Sequence, residues 1–178
     1  VLFLGQLNRR KGAGPLFRAI EQCEEAPMRF ELAGPVGIEL PASIRQNPRV
    51  RIHGAVSKER AAQLFREADV FVLPTYSDGF ALTQLEAASH RLPLVVSRHC
   101  GEVVRDGFNG LVLTEVSAEA IVRALRHLSE RPDRLQAFSD HPFDWSEFSL
   151  GSLAHRLQRL AEAVSNSPPS PLHPGSCP

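Results

Sequence analysis

The chain has 178 residues, enough for one compact α/β domain built around a single hydrophobic core. Its 20 basic and 20 acidic residues cancel, and no stripe of Lys and Arg is interleaved with aromatic residues, so a nucleic-acid polymer is not expected as a partner. The longest apolar runs have the length of strands, which is too short to span a membrane.

The cysteines and histidines predict neither a disulfide framework nor a metal site. Cys23, Cys100 and Cys177 are odd in number and far apart in the sequence, and the seven His residues are scattered singly. A reducing, cytoplasmic compartment fits this pattern best.

Six short apolar runs predict buried strands, at residues 1–5, 28–33, 50–53, 69–74, 94–97 and 110–113. Apolar residues at helical spacing predict helices over residues 15–25, 57–65, 117–128 and 150–164. A further helix is predicted directly after the polar loop 75–79, with Leu82, Leu85, Ala88 and Ser89 in it. Ser57 has the residue type and the position of a helix N-cap. Strands that alternate with helices of this length indicate right-handed βαβ units and a Rossmann-like, doubly wound parallel sheet.

The domain boundaries follow from composition. We predict one α/β domain over residues 1–164, because the helical pattern continues to that point. Residues 165–178 become rich in Ser and Pro and cannot bury a core, so they are predicted to form a disordered tail. The chain opens on a strand-like run without an initiator Met, and we expect it to be part of a longer protein.

The first candidate loop follows the first predicted strand. Ligands of such sheets bind at the carboxyl ends of the strands, near the point where strand order reverses. Residues 5–14 contain Arg9, Arg10 and Lys11 between glycines and a helix start, a combination that suits a phosphate. The loop is neither a P-loop nor a GxGxxG fingerprint, and a basic surface turn is an equally weighted alternative.

The second candidate element contains two acids eight residues apart. Asp78 is placed just outside a predicted helix and Glu86 two turns inside it. Between them, the N–H groups of residues 81–83 point out of a helix start, where an anion is stabilised. This order of acid, anion site and acid matches a sugar, a diphosphate and a ribose. An N-capping Asp with an unrelated surface Glu is a comparable alternative on spacing alone.

Together these motifs resemble the donor-binding region of the retaining GT-B glycosyltransferases, the glycogen-synthase-like and mannosyltransferase-like group. The resemblance rests on Ala-Asp-Val-Phe-Val-Leu-Pro-Thr at 68–75, Asp-Gly-Phe-Ala at 78–81, Glu-Ala at 86–87 and Leu-Pro-Leu-Val-Val at 92–96. The segment 101–112 and the loop from Gly5 to Gly12 match as well, so the likeness covers about residues 1 to 130. It implies the C-terminal half of a GT-B fold, without the N-terminal domain that binds the acceptor.

The resemblance implies a role for each charged residue of the two loops. Asp78 would hold hydroxyl groups of the transferred sugar and Glu86 the ribose hydroxyls, and these two acids are the expected catalytic pair. Lys11, together with Gln6 and Arg10, would border the donor diphosphate. No metal and no organic cofactor are expected, because basic side chains and a helix start neutralise the leaving diphosphate.

Other donor contacts implied by the resemblance are made largely by backbone. The residues expected to border the donor in this way are Gly54, Val56, Gly79, Phe80, Leu82 and Thr83. Gly54 and Val56 would border the base, whereas Leu82 and Thr83 would offer N–H groups to the distal phosphate.

Three departures from the family pattern bear on activity. Gln6 stands where the family usually has Arg, and Asp78 replaces a Glu that is one methylene longer. Arg91-Leu92 replaces the usual Gly before the Pro that precedes the next strand.

The expected function is transfer of a sugar from a nucleoside diphosphate sugar, with retention at the anomeric carbon. The acceptor would be a glycan, a lipid or a small molecule held by the missing half, which would also make any peripheral membrane contact. A non-catalytic nucleotide-sugar-binding module is the first alternative, favoured by Gln6 and Asp78. A GT-B epimerase is a second alternative, and the catalytic acids and His residues that it needs are not found in the pattern.

Overall fold

A computed structural model describes residues 1–141 and 143–165 of the chain. The chain divides into two compact units, Val1–His141 and Pro142–Pro178. The first unit contains the elements that place the candidate site.

The first unit is built on one parallel sheet. Its strands are β1 (Leu2–Leu4), β2 (Phe30–Ala33), β3 (Val50–Gly54), β4 (Phe71–Leu73), β5 (Leu94–Ser97) and β6 (Gly110–Leu113). They pair in the order β3-β2-β1-β4-β5-β6, every pair being parallel. The strand order reverses between β1 and β4, so the predicted α/β, Rossmann-like, doubly wound sheet is confirmed.

Helices flank the sheet. They are α1 (Ala13–Gln22), α2 (Ala42–Arg45), α3 (Lys58–Glu67), α4 (Leu82–Ser89), α5 (Ala118–Ser129) and α6 (Pro132–Asp140). Helix α1 packs against α5, and Phe65 of α3 stacks on His90 at the end of α4 with ring centroids 5.4 Å apart. Helix α1 joins β1 to β2 and α4 joins β4 to β5, so the two crossovers run in opposite directions along the sheet. Because both crossovers are right-handed, α1 and α4 cover opposite faces of the sheet.

Serine caps fix the starts of two of these helices. The Ser57 hydroxyl accepts the N–H of Arg60 at 3.3 Å, and the Ser117 hydroxyl accepts the N–H of Ala120 at 3.1 Å. The prediction of Ser57 as an N-cap is therefore confirmed. Such a cap satisfies one of the N–H groups that a helix start leaves without an intrahelical partner.

Two arginines from other elements hold the C-terminal end of α1. Arg49 donates to the carbonyl of Cys23 at 2.6 Å and to that of Ile20 at 3.5 Å, and Arg126 donates to the carbonyl of Gln22 at 3.0 Å. Cations suit this position, because the last carbonyls of a helix carry its negative partial charge. Burial nevertheless raises the pKa of the Cys23 thiol against the charges of Arg126 and Arg49.

The second unit contains an aromatic cluster and a helix. The rings of Phe143 and Trp145 lie 4.4 Å apart and those of Phe143 and Phe148 lie 5.4 Å apart, so these residues pack as a cluster. After a 3₁₀ turn at Ser146–Phe148, α7 covers Leu150–Ser165. The remainder of the predicted tail, residues 166–178, lies outside the described residues. Among the described helices, none combines the length and the apolar character needed to cross a membrane.

Candidate functional site

The candidate site is built where β1 and β4 lie side by side. Gly12 ends the loop after β1 with a φ of 74°, in the left-handed region that favours glycine. A Cβ at this position would overlap the carbonyl oxygen of Pro74, which follows β4. The loops after β1 and β4 are therefore in main-chain contact, and only glycine fits at the point where they meet.

An ion pair joins these two loops. Lys11 Nζ donates to Asp78 Oδ2, although the two residues are 67 positions apart in the sequence. Both side chains are mostly buried, with 13% of Lys11 and 14% of Asp78 exposed. The structure thus brings together the central lysine and the first acid of the predicted site.

The surroundings of Asp78 favour its ionised form. Burial alone would raise the pKa of this carboxyl, but the hydrogen bond and the charge of Lys11 more than offset that effect. The charge of Arg10 and the N–H of Ala81 add to it, so the pKa of Asp78 lies below its usual value. Asp78 is accordingly an anion at neutral pH and an acceptor of hydrogen bonds.

Arg10 also links the loops after β1 and β4. Its Nη1 donates to the carbonyl of Ser77 at 2.8 Å, and its own carbonyl accepts the Thr75 hydroxyl at 3.0 Å and the Tyr76 N–H at 2.8 Å. Thr75 is fully buried. The backbone on each side of the ion pair is therefore held by hydrogen bonds.

Gln6 contributes no charge to the site. It is exposed, and its side-chain oxygen accepts the Asn8 amide at 2.9 Å. Asn8 in turn caps the turn by accepting the N–H of Lys11 at 2.9 Å. The positive charges of this loop come from Arg9, Arg10 and Lys11.

The N-terminus of α1 offers fewer donors than the sequence indicates. The helix begins at Ala13 rather than at the predicted residue 15, because the left-handed Gly12 lets the chain turn there. The N–H of Ala13 donates to the carbonyl of Asn8 at 3.2 Å, and Pro15 has no N–H. Of the first three residues only Gly14 has an N–H to offer an anion.

The N-terminus of α4 is better placed for an anion. Its N-cap residue, Ala81, has a φ of 55° and makes no side-chain cap to the N–H groups of Leu82 and Thr83. These groups carry the positive partial charge of the helix. They follow Asp78 by four and five residues, and the loop that holds Asp78 leads directly into them.

Glu86 lies about one turn inside α4, so its predicted placement two turns inside the helix is wrong. The helix begins only at Leu82, after the loop closed by Ala81. Glu86 is exposed, as is Leu82, which lies one turn earlier on the same face and is 68% exposed. The structure gives Glu86 no contact with Lys11 or Asp78.

The residues expected to border the base lie at the same edge of the sheet but farther away. The carbonyl of Gly54, at the end of β3, accepts the N–H of Gly34 at 2.7 Å, and Val56 is half-buried two residues later. Two strand spacings, roughly 10 Å, separate β3 from β1.

Gly79 and Phe80 lie between Asp78 and α4. A side chain at Gly79 would meet no atom within 4 Å, whereas a Cβ at Gly101 would lie 3.0 Å from the Phe80 ring. Phe80 thus packs against the loop after β5, and Gly79 is open to its surroundings.

The structure adds a buried glutamine and a backbone contact to the predicted site. Gln84 is fully buried in α4, and the carbonyl of His99 accepts the N–H of Asp78 at 2.9 Å. Cys100 is buried, and burial raises the pKa of its thiol to about 11. Nothing in the pattern marks a buried glutamine, because polar residues are expected on the exposed face of a helix.

Within the part of the chain that the structure describes, no three His, Cys, Asp or Glu side chains are grouped as a metal site. The charges at the switch point are instead those of Arg10, Lys11 and Asp78.

The fold and the site define an α/β, Rossmann-like domain with charged loops at the switch point of its sheet. The chain belongs to the family of group 1 glycosyl transferases, whose family model matches residues 1–131. The predicted family is confirmed at this level, and so is the GT-B character of the fold, because the structural neighbours are GT-B glycosyltransferases.

Curated relatives are similar to this chain over part of their length. A D-inositol 3-phosphate glycosyltransferase of Streptomyces griseus is 36% identical over 153 residues, which cover 76% of this chain and 32% of the relative. One of Corynebacterium kroppenstedtii is 27% identical, over 94% of this chain and 41% of the relative. The chain therefore spans less than half the length of these relatives.

Solved structures share the fold at low identity. The HepE protein of Anabaena, solved with UDP and glucose, superposes with a TM-score of 0.68 at 19% identity, over 93% of this chain and 48% of that one. The sucrose-phosphate synthase of Thermosynechococcus elongatus gives 0.69 at 22% identity, over 92% and 45%. The C-terminal domain of a group 1 glycosyl transferase of Francisella tularensis gives 0.69 at 16% identity, over 79% and 80%.

Proposed function

We propose that this chain is the donor-binding domain of a glycosyltransferase that transfers a sugar from a nucleoside diphosphate sugar with retention of anomeric configuration. The observation that carries the proposal is the Lys11–Asp78 ion pair at the switch point, beside the uncapped start of α4. A cation, a carboxylate and open helix N–H groups in one place suit a ligand that joins an anion to a polyol.

Lys11 and the start of α4 are assigned to the diphosphate. When the bond between the anomeric carbon and the diphosphate breaks, its electron pair goes to the diphosphate oxygen, where negative charge develops. The Lys11 ammonium and the N–H groups of Leu82 and Thr83 stabilise that charge without further reorganisation, since both are held in place beforehand. Arg10 adds a second positive charge, and neutral Gln6 borders the same loop.

Asp78 is assigned to the hydroxyl groups of the transferred sugar. Its lowered pKa keeps it an acceptor at neutral pH, and Lys11 fixes the direction of the carboxylate. Glu86 is assigned to the ribose, because its exposed carboxylate lies one turn from the N–H groups that would hold the phosphate.

The base is assigned to the loop after β3, where Gly54 and Val56 lie. A nucleotide whose phosphates lie near β1 and β4 reaches this loop, because the separation of about 10 Å is within the length of a nucleoside diphosphate. Gly79 and Phe80 complete the donor border near the sugar.

Retention requires the acceptor hydroxyl to approach the same face of the sugar that the diphosphate leaves. The acceptor is assigned to the part of the longer protein that this chain does not include. D-inositol 3-phosphate is the first acceptor to test, because the curated relatives are named for it. No metal or organic cofactor is assigned, and addition of EDTA should leave donor binding unchanged.

Titration of the 178-residue chain with UDP, GDP and ADP and with their sugars tests the proposal. Amide chemical shifts should move at Lys11, at Leu82 and Thr83 and near Gly54 with the nucleotide that fits. Lys11→Gln should weaken that binding by about tenfold or more, since a charge-assisted phosphate contact is lost. A folded chain that binds none of the six compounds would contradict the donor site.

A non-catalytic nucleotide-sugar-binding module is the second candidate. It is favoured by the uncharged Gln6 and by Asp78, whose carboxylate is already bound to Lys11. Gln6→Arg in the full-length protein separates the two functions. A large gain in turnover would indicate an impaired enzyme site, an unchanged turnover an adapted one, and no turnover in either form a binding module.

A further inference from the structure

Gln84 is the one glutamine in α4, and its side chain has no exposure to solvent. It shares the buried face of this helix with Ala87 and Ala88. A side-chain amide loses its bonds to water in such surroundings unless protein groups replace them. Its partners therefore show what the residue is for.

Both N–H bonds of the Gln84 amide are used. Nε2 donates to the carbonyl of Phe80 at 2.8 Å and, by a shorter contact, to the carbonyl of Cys100. Phe80 belongs to the loop that holds Asp78, whereas Cys100 belongs to the loop after β5. The side-chain oxygen of Gln84 is buried and has no hydrogen-bond partner, so the residue is placed there for its two donors.

A second link joins the same two loops. The N–H of Asp78 donates to the carbonyl of His99 at 2.9 Å, next to the carbonyl that Gln84 holds. The ring of Phe80 also packs against Gly101. The loop that holds Asp78 is therefore fixed to the loop after β5 at its beginning by its backbone and at its end by Gln84.

We propose that Gln84 is a positioning residue, which sets where the Asp78 carboxylate and the first N–H groups of α4 stand relative to Lys11. The role rests on the proposed function of these groups as donor ligands. Gln84 touches no ligand itself. It acts by tying the carbonyl of Phe80, between Asp78 and the helix start, to the carbonyl of Cys100 in the loop after β5.

Gln84→Met tests this role, because methionine has a similar length and no donor. Gln63→Met is the matched control, since Gln63 is an exposed glutamine of α3 whose side chain donates to Glu67 of the same helix. Arg49→Met is the control for stability, because it removes buried hydrogen bonds far from the loops after β4 and β5. All variants are made in the 178-residue chain and checked for folding by thermal melting.

Two measurements show whether the substitution affects the site. The first is the dissociation constant for UDP, GDP and ADP and their sugars by calorimetry, and the second is the pH titration of the Asp78 carboxyl by carbon NMR. Gln84→Met is expected to weaken nucleotide binding at least fivefold and to return the pKa of Asp78 toward its usual value. Both controls should stay within twofold of the parent chain and keep its Asp78 titration.

The two proposals fail in different ways. If the parent chain binds no nucleotide, the proposed function fails, while the Asp78 titration still decides the role of Gln84. If Gln84→Met keeps the parent affinity and the parent titration, the positioning role is overturned. If Gln84→Met does not fold, Gln84→Asn replaces it. That variant keeps an amide one methylene too short, and parent-like behaviour in both measurements would likewise overturn the role.

Discussion

At the scale of single residues, the Lys11–Asp78 pair sets up a competition. In the free chain the Lys11 ammonium is already bound to a carboxylate, so an incoming phosphate has to share it. The two anions are then close together, and each lowers the attraction of Lys11 for the other. Under the proposed function, Asp78 therefore weakens the binding of a bare diphosphate.

Asp78→Asn should separate these effects. We expect the variant to bind a nucleoside diphosphate roughly three- to tenfold more tightly than the parent, or about 0.7–1.4 kcal/mol, because Lys11 is no longer neutralised. The extra affinity contributed by the attached sugar should fall. Calorimetry with each nucleotide and its sugar measures both quantities.

Asp69→Asn makes the same change of net charge at an exposed aspartate that precedes β4, at the opposite end of the strand. It should leave both affinities unchanged. Equal or weaker diphosphate binding by Asp78→Asn would show that the ion pair does not compete with the ligand.

The backbone of Arg91 has a conformational cost, at a position where the sequence departs from the family pattern. It stands where the family usually has Gly, and its φ of 58° lies in the left-handed region. An ordinary L-residue pays about 1–2 kcal/mol there. The Arg91 side chain is exposed to solvent, where a contact would contribute little to offset this cost.

Arg91→Gly should therefore raise the free energy of unfolding by about 1 kcal/mol, as measured by urea denaturation. Arg66→Gly in the last turn of α3 is the control, and it should lower the same free energy by about 0.5–1 kcal/mol because helical glycine is unfavourable. A destabilised Arg91→Gly would mean that the arginine side chain contributes contacts of its own.

At the scale of elements, the end of α1 depends on residues outside the helix. Arg49 bonds two of its last carbonyls, and it is half-buried between α1 and β3. Each carbonyl also accepts a backbone N–H, that of Ala26 for Cys23 and that of Cys23 for Ile20, so removing Arg49 takes away a charged donor in a partly buried place. The cost is larger than that of a bond exposed to water.

Arg49→Met should lower the free energy of unfolding by about 1–3 kcal/mol, measured by urea denaturation. Arg51→Met, two residues later on the exposed side of β3, should change it by less than about 0.5 kcal/mol. Equal effects of the two substitutions would show that the bonds to α1 contribute little.

The elements themselves were largely predictable. Strands β5 and β6 begin and end where the apolar runs indicate, because buried parallel strands are marked by continuous apolar sequence. The start of α1 was misplaced by two residues, since a left-handed glycine leaves no trace in a hydrophobic pattern. Helices α2 and α6 were not predicted, the first because it has only four residues and the second because it has one buried side chain.

The candidate site was predictable in its main pair but not in its supports. Lys11 and Asp78 could be placed together, because the switch-point rule brings the loops after β1 and β4 to one edge. The hydrogen bonds from Arg10 and Gln84 to carbonyls could not, since backbone acceptors are not distinguished by residue type. The depth of Glu86 in its helix depended on the conformation of Ala81, which residue identity alone disfavours.

At the scale of the whole molecule, the proposed site would bind the donor, whereas sugar transfer also needs a site for the acceptor. The chain covers 32% of the Streptomyces griseus relative and 41% of the Corynebacterium kroppenstedtii relative. Under the proposed function, the acceptor is held by the part that these longer chains possess in addition. When this chain is studied alone, it should therefore bind the donor without transferring the sugar.

The 178-residue chain should bind a nucleotide sugar but produce no transfer product above background. Product formation from radiolabelled UDP-, GDP- and ADP-sugars with D-inositol 3-phosphate measures this, with the full-length Streptomyces griseus relative as the positive control. Turnover by the chain alone at a rate near that of the relative would place the acceptor site within residues 1–178.

Two glycines at the edge of the sheet have opposite surroundings. Gly12 is wedged against Pro74, whereas a Cβ at Gly54 would meet no atom within 4 Å. Substitution is therefore sterically blocked beneath the charged pair and spatially permitted beside β3, where asparagine tolerates the φ of 66°. Sequence change is therefore easier at the end of β3 than at the junction of the loops after β1 and β4. Under the proposed function, a library that aims at new nucleotide preferences should randomise residues 54–56 and leave 11–12 unchanged.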